Sequence, residues 1–418
     1  MAERTSAQQI VIVGGGKAGG EAAGALRDEG FDGPIVLISR EPEVPYGRPP
    51  LSKTYLKGDE GLDGWYVRSP DWYASHNVDL RLESAVSAID VEAHSLTLGS
   101  GQQVGYQQAL LATGGRNRRL AIPGGDLPGV HYLRTVAQCD AIKDAAVAGR
   151  RAVVVGMGFI GCEVASTLTR LGVHVTAMFP GKDPLERVLG AEVGALISAI
   201  HRSKGVRLIA GAEVTAFEGA ERVEAAVTAD GARTACDFAV VGVGIEPDVP
   251  AVAGSAIAQD NGILVDELCR TSAPDVYAAG DVANHLHPVF GRVRVEHYNS
   301  AQHHGPAAAR SMLGSTAPFD YIHNFWSDQY EHTLQYVGHA TKWDELAFRG
   351  SIDDGKFVGF YLREGVVRAA IGFDRGGDPE WEPDSEMAAC ARLIAGRARP
   401  SQRMLTDEHV DVRSLAGS

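Results

Sequence analysis

The stretch Gln9-Ile10-Val11-Ile12-Val13-Gly14-Gly15-Gly16-Lys17-Ala18-Gly19-Gly20 decides the fold. Its apolar run suits a strand buried on both faces of a parallel sheet. Gly14-x-Gly16-x-x-Gly19 follows at once, and Ala22, Ala23, Ala25 and Leu26 continue as a helix toward Gly30. In such a strand–turn–helix the first glycine permits the tight turn. The second lets backbone approach a pyrophosphate, and the third lets helix pack on strand. The helix N-terminus adds free N–H groups and a positive dipole end. Pro34-Ile35-Val36-Leu37-Ile38 reads as the next strand. Glu41, roughly 20 residues past the last glycine, stands where an acid accepts ribose hydroxyls.

The design recurs at mid-chain. Ala152-Val153-Val154-Val155 is the strand, Gly156-x-Gly158-x-x-Gly161 the turn, and the helix runs to about Leu171 before a strand at 173–177. That second strand ends Ala177-Met178-Phe179-Pro180, with no acid, and Lys182 follows. A missing carboxylate removes the usual preference for NAD, while one flexible lysine is weak support for NADP, so the nucleotide stays open. Two such turns imply two dinucleotides, or one working site and one decayed site.

Composition narrows the class. The 418 residues suggest several domains. The 50 glycines exceed the ~7% of an average chain and have no collagen period, so they mark turns and close backbone approach. With 39 basic and 53 acidic residues the formal charge is −14, which argues against a general nucleic-acid binder and against docking on an anionic membrane. No apolar run is long enough to span a bilayer, and no secretory signal is expected from the polar start. Cys139, Cys162, Cys236, Cys269 and Cys390 are odd in number and widely spaced. Buried free thiols in a cytoplasmic enzyme are expected, without a disulfide framework, a metal site or a redox CxxC pair.

The remaining chain alternates in type. Residues 44–53 carry Pro45, Pro49 and Pro50 and read as extended loop; 65–76 reads as helix and 80–98 as short strands. Strands at 106–113 and 238–244 end in the small-residue turns Thr113-Gly114-Gly115 and Gly242-Val243-Gly244. From Phe325 the pattern is strand-rich, at 334–337, 346–349, 356–361 and 366–373, with a helix over 384–395 and a weakly periodic, frayed tail from Thr406.

Taken in order, these segments resemble FAD-dependent pyridine-nucleotide oxidoreductases of the ferredoxin and rubredoxin reductase group, and the related bacterial proteins similar to apoptosis-inducing factor. The resemblance implies an α/β fold: two Rossmann-like three-layer domains, for FAD and NAD(P), plus a C-terminal α+β domain. The FAD-binding domain would be discontinuous (1–116 and 246–320), with the NAD(P)-binding domain at 117–245, the C-terminal domain at 321–405 and a tail at 406–418.

The same resemblance assigns residues. Gly14, Gly16, Gly19 and Glu41 would hold FAD. Arg48-Pro49-Pro50-Leu51-Ser52-Lys53 matches the family's RPPLSK loop, with Arg48 near the phosphate-ribityl region and Lys53 beside the flavin ring, where an ammonium stabilises negative charge on the reduced ring. A surface lysine is the alternative. Leu110-Leu111-Ala112-Thr113-Gly114 resembles the ATG motif, which brings Thr113, Gly114, nearby Arg118 and the later Gly244 toward the cofactors. In Thr271-Ser272-Ala273-Pro274-Asp275-Val276-Tyr277-Ala278-Ala279-Gly280-Asp281, Gly280 shapes the turn and Asp281 accepts from a ribityl hydroxyl, or merely caps the turn. Gly156, Gly158, Gly161 and Glu163 match GxGxIGxE. Glu163 would lie near the nicotinamide and pair with Lys53 across a domain interface, or serve as a first-turn helix charge. Glu296, His297 and Tyr298 fall in a segment that passes under the flavin, and Tyr298 stands where many relatives have Trp. Phe325-Trp326-Ser327-Asp328-Gln329 matches the FWSDQ motif, with Trp326 against the ring system or in an interface core.

Lys53 and Glu163 are thus the catalytic candidates, and no metal is expected. The implied function is hydride transfer from NAD(P)H to FAD, then single electrons to a ferredoxin-type iron–sulfur protein; a homodimer is compatible with the resemblance. Two alternatives use the same flavin: an NAD(P)H oxidase or quinone reductase, and a slow redox-sensing flavoprotein similar to apoptosis-inducing factor. Arg116, Arg118 and Arg119, or Arg292 and Arg294, are the basic clusters offered for an acidic partner.

Overall fold

A computed structural model describes residues 9–417. The chain forms two compact units, the first from 9–48, Leu62–Arg116 and Glu246–His323, the second from Pro49–Gly61, Asn117–Ile245 and 324–417.

The first unit is built on a five-stranded parallel sheet in the order Val276–Ala278, Gln108–Leu111, Ile10–Val13, Ile35–Ile38, Val78–Arg81. Ile10–Val13 occupies the centre and is buried throughout, which is why its sequence is apolar without alternation. The helix Lys17–Asp28 buries its alanines, and the helix Tyr298–Met312 crowds against it. A Cβ at Gly305 would stand 2.2 Å from the Ala18 carbonyl oxygen, so only glycine permits that approach. An antiparallel meander, Val86–Asp90, Ser95–Leu98 and Gln103–Gly105, completes this unit's strand-rich side.

The second unit repeats the parallel design in the order Arg207–Ala210, His174–Phe179, Arg151–Val155, Phe238–Val241, Val130–Tyr132. It also contains a five-stranded antiparallel sheet in the order Asn324–Gln329, His332–Gly338, Val366–Phe373, Lys356–Arg363, Glu345–Ser351, with the helix Glu386–Ala395.

Three expectations change. Residues 65–76 are not one helix: Asp63–Trp65 is a 3-10 turn, Tyr66 bridges to Tyr46, and only Pro70–Ser75 is helical. Pro70 explains the late start, because it has no amide donor and suits the first helical position. Second, Pro49–Gly61 clusters with the second unit rather than with the first. The Thr167 hydroxyl donates to the Ser52 carbonyl at 2.8 Å, Cys139 Sγ to the Leu51 carbonyl at 3.1 Å, and Tyr55 Oη to Asp140 at 2.9 Å. Third, the segment after Leu405 is tied down. Buried Arg349 donates to the carbonyls of Asp407 and Val410, each at 2.7 Å, and to Glu386 at 3.0 Å, while Val412 and Leu415 are buried.

Candidate functional site

Each parallel sheet carries one Gly-rich cradle, and the two are built alike. A Cβ at Gly14 would lie 2.1 Å from the Ala112 carbonyl oxygen, and one at Gly19 would lie 2.0 Å from the Gly14 carbonyl oxygen. In the second cradle, a Cβ at Gly156 would lie 2.4 Å from the Gly242 carbonyl oxygen and one at Gly161 2.0 Å from that of Gly156. The first and third glycines are therefore required by the protein's own packing. The middle ones are not: a Cβ on Gly16 or Gly158 would meet nothing within 4 Å. Both middle glycines cap their helices without any side-chain hydrogen bond to the first-turn amides. Uncapped amides, a positive dipole end and a backbone stripped of side chain fit a dinucleotide pyrophosphate.

Around the first cradle, Glu41 is engaged. Arg48 Nη2 donates to its Oε1 at 2.5 Å, and Tyr46 Oη donates to its Oε2 at 2.7 Å. Burial opposes the Arg48 charge, but Tyr46, Glu41 and Asp281 outweigh it and hold its pKa above the ordinary guanidinium value. Thr113 Oγ1 donates to the Asp248 carbonyl at 2.6 Å, and the Gly114 carbonyl accepts the Asp248 amide at 3.0 Å. Gly280 turns at φ +77, its amide donating to His304 Nδ1 at 3.2 Å, and the Asp281 carbonyl accepts Arg294 at 3.1 Å. Glu296 pairs with Arg294 at 2.8 Å, and His297 caps the helix that Tyr298 opens. The Tyr298 ring lies under Lys17, at 4.7 Å from ammonium to centroid, and edge-on to Trp65.

The second unit holds the catalytic candidates together. Lys53 Nζ is 2.9 Å from Glu163 Oε2. Ser52 Oγ donates to the same oxygen at 2.5 Å, and Ser327 Oγ donates to Oε1 at 2.7 Å. Glu163 lies beyond the first helical turn, which contains no acid, so the dipole alternative for it falls away. Lys53 and Glu163 share one compact unit, which replaces the expected pairing across a domain interface. Arg118 donates its amide to the Gly244 carbonyl at 3.0 Å and its Nε to that of Ile245 at 3.1 Å. Trp326 Nε1 donates to Asp328 at 3.1 Å, while its neighbour Phe325 packs edge-on against Phe159.

Part of each basic cluster is ion-paired within its own unit. Arg116 pairs with Glu246, Arg119 with Asp126 and Arg294 with Glu296, and Arg292 is spent on the carbonyls of Val265 and Asn284. The five cysteines are free and buried, and burial pushes each thiol above its ordinary value.

Residues 8–305 match the family model for pyridine nucleotide-disulphide oxidoreductases, and residues 324–416 match the reductase C-terminal model. The chain belongs to the pyridine nucleotide-disulphide oxidoreductase family. Within it, the chain is 37% identical over 407 residues to the ferredoxin–NAD(+) reductase component of the biphenyl dioxygenase system of Paraburkholderia xenovorans (strain LB400), covering 97% of this chain and 98% of that one. It is 33% identical over 413 residues to putidaredoxin reductase of Pseudomonas putida, covering 97% and 96%. Among solved structures, the covalent putidaredoxin reductase–putidaredoxin complex superposes with a TM-score of 0.92 at 33% identity, covering 98% of each chain. The ferredoxin reductase for the CYP199A2 system of Rhodopseudomonas palustris gives 0.91 at 31%, covering 98% and 100%.

Motif reading did not single out Ser52, Ser327, Gln329 or His201. The first three lie inside quoted motifs, so position alone pointed to them. His201 carries no sequence signal at all.

Proposed function

We propose that this protein is a cytoplasmic, FAD-dependent NADH:ferredoxin oxidoreductase. One observation carries the reading: a single chain builds two intact cradles, each with its middle glycine open to a ligand and its helix amides uncapped. Full-length likeness to ferredoxin–NAD(+) reductases supports the donor and the acceptor. FAD, when bound, takes up two electrons as a hydride and releases them singly, which suits a [2Fe-2S] acceptor.

The chain's own residues position rather than transfer protons. The amides that follow Gly16 would hold the FAD pyrophosphate and those that follow Gly158 the nicotinamide dinucleotide. Arg48 fixes Glu41, which would accept from the adenosine ribose, and the left-handed turn at Gly280 precedes Asp281, which would accept from the ribityl chain. Lys53, held in place by Glu163, would supply a fixed positive charge to a bound flavin ring. Buried thiols and the lack of an early cysteine pair suit a route without a thiol relay.

Ferredoxin dependence tests the proposal. The FAD-loaded protein is mixed with NADH and cytochrome c, with and without a purified [2Fe-2S] ferredoxin. Reduction of cytochrome c that requires the ferredoxin is expected. Equal reduction without it, or oxygen consumption that accounts for all the NADH, would favour the oxidase reading.

A further inference from the structure

Glu163 stands at the end of a one-way chain of hydrogen bonds. Ser327 Oγ donates to Glu163 Oε1 at 2.7 Å. Gln329 Nε2 donates to Ser327 Oγ at 3.3 Å. His201 Nε2 lies 3.2 Å from Gln329 Oε1, and His201 Nδ1 lies 3.1 Å from Tyr330 Oη. The roles follow from the donor inventory. An ionised carboxylate only accepts, so Ser327 spends its single proton on Glu163. Gln329 must then donate its NH₂ to Ser327 and present its carbonyl to the imidazole. That places the histidine proton on Nε2 and leaves Nδ1 to accept from the tyrosine hydroxyl. Each bond points the same way, toward Glu163.

The chain is closed to water. Glu163, His201, Ser327 and Gln329 are 2%, 0%, 1% and 7% exposed. Burial pushes His201 down to about 4, only partly opposed by Gln329, so the ring is neutral and can fill both roles. In a low dielectric an aligned chain of this kind polarises along its length, and a missing link leaves buried polar atoms unsatisfied. The primary amide of Gln329 interrupts proton conduction, so the chain orients its target without passing it a proton. The other carboxylate oxygen is thereby left to Ser52 and Lys53, at 2.5 and 2.9 Å.

We propose that Ser327, Gln329 and His201 are positioning residues that aim Glu163, and through it Lys53, from the strand Asn324–Gln329 and the helix Ala191–Ser203. This rests on the reading that places Lys53 beside the flavin.

The test uses the FAD-loaded full chain with carboxyl-labelled glutamate. Isotope-edited infrared difference spectra against E163Q isolate the Glu163 carboxylate stretches, which report how its two oxygens are hydrogen-bonded. Stopped-flow gives the NADH reduction rate and its half-saturation. S327A is expected to shift the Glu163 band and slow reduction about tenfold at saturating NADH with half-saturation unchanged, and S327T to restore both. Q329L and H201F should move both readouts in the same direction by less. If S327A fails to accumulate, Q329L decides. A Glu163 band that stays put in S327A and Q329L, with only the melting temperature lowered, would overturn the proposal. The infrared readout needs neither donor nor acceptor. A shifted band with an unchanged rate therefore supports the positioning and contradicts instead the role given to Lys53.

Discussion

Lys53 Nζ meets Glu163 Oε2 at 2.9 Å with the glutamate almost wholly buried and the lysine largely so. The pair joins the proline-framed loop to the helix Phe159–Arg170. Removing one member strands the other in a poor solvent for ions. K53M should therefore destabilise the protein by about 3 kcal/mol. K53M/E163Q should recover most of that loss, since the glutamine oxygen still accepts from one serine and its NH₂ can donate to the hydroxyl oxygen of the other. Urea denaturation of the three variants in a double-mutant cycle measures the coupling. Additive losses would show that the pair contributes nothing as a pair.

The glycines separate folding from binding. G14A and G161A force a Cβ onto a backbone carbonyl and should fold poorly, whereas G16A and G158A add a Cβ that meets no protein atom within 4 Å. G16A should give an apoprotein with near-native melting temperature and an FAD dissociation constant raised about 100-fold or more. G158A should keep FAD and raise the NADH half-saturation. Fluorescence titration of apoprotein with FAD checks the first. Unaltered FAD affinity in G16A would remove the pyrophosphate from that turn.

Acid should destabilise the fold through its buried imidazoles. Burial holds His201 down to about 4 and His304 to about 3, against an ordinary 6.5. Between those values the unfolded chain binds more protons than the folded one, so stability rises with pH there. The contribution is fully present above pH 6.5 and is lost as pH falls toward 4, with a slope of up to about 1.4 kcal/mol per pH unit for each histidine. Melting temperature measured from pH 7 to pH 4 should fall more steeply for the wild type than for H201Q. Parallel curves would contradict the assignment to His201.

Arg349 should act as the clamp of the C-terminus. Its guanidinium serves the carbonyls of Asp407 and Val410 and the carboxylate of Glu386. R349M should cost about 2–4 kcal/mol and raise amide hydrogen exchange across 405–412 while leaving flavin content unchanged. Mass-resolved exchange reads this directly. Unchanged exchange in that segment would assign the clamp to Val412 and Leu415 burial instead.

What could be read in advance was the local chemistry. Ile10–Val13 and Ala152–Val155 announce buried parallel strands because their neighbours in the sheet demand apolar side chains on both faces. The two Gly-x-Gly-x-x-Gly turns announce cradles because only glycine tolerates the carbonyls at 2.0–2.4 Å. What could not be read depends on long-range packing. The attachment of Pro49–Gly61 to the second unit follows from bonds to Thr167, Cys139 and Asp140, none of which a local pattern reveals. Nor does a pattern reveal that His201 lies against Gln329, or that Arg349 collects carbonyls from a segment with no periodicity. The loss of the helix at 65–69 was legible in principle, since Pro70 favours the first turn of a helix over its interior.

The proposed reaction passes a hydride from NADH to bound FAD and electrons onward to ferredoxin. Anaerobic stopped-flow tests it most directly: the FAD-loaded protein is mixed with NADH or NADPH, the flavin absorbance is followed, and oxidised ferredoxin is added in a second mix. Fast bleaching by NADH, slower bleaching by NADPH and rapid recovery of absorbance with ferredoxin are expected. Slow reduction to a long-lived charge-transfer complex that ferredoxin leaves untouched would contradict the proposed reaction and point to a redox-sensing flavoprotein.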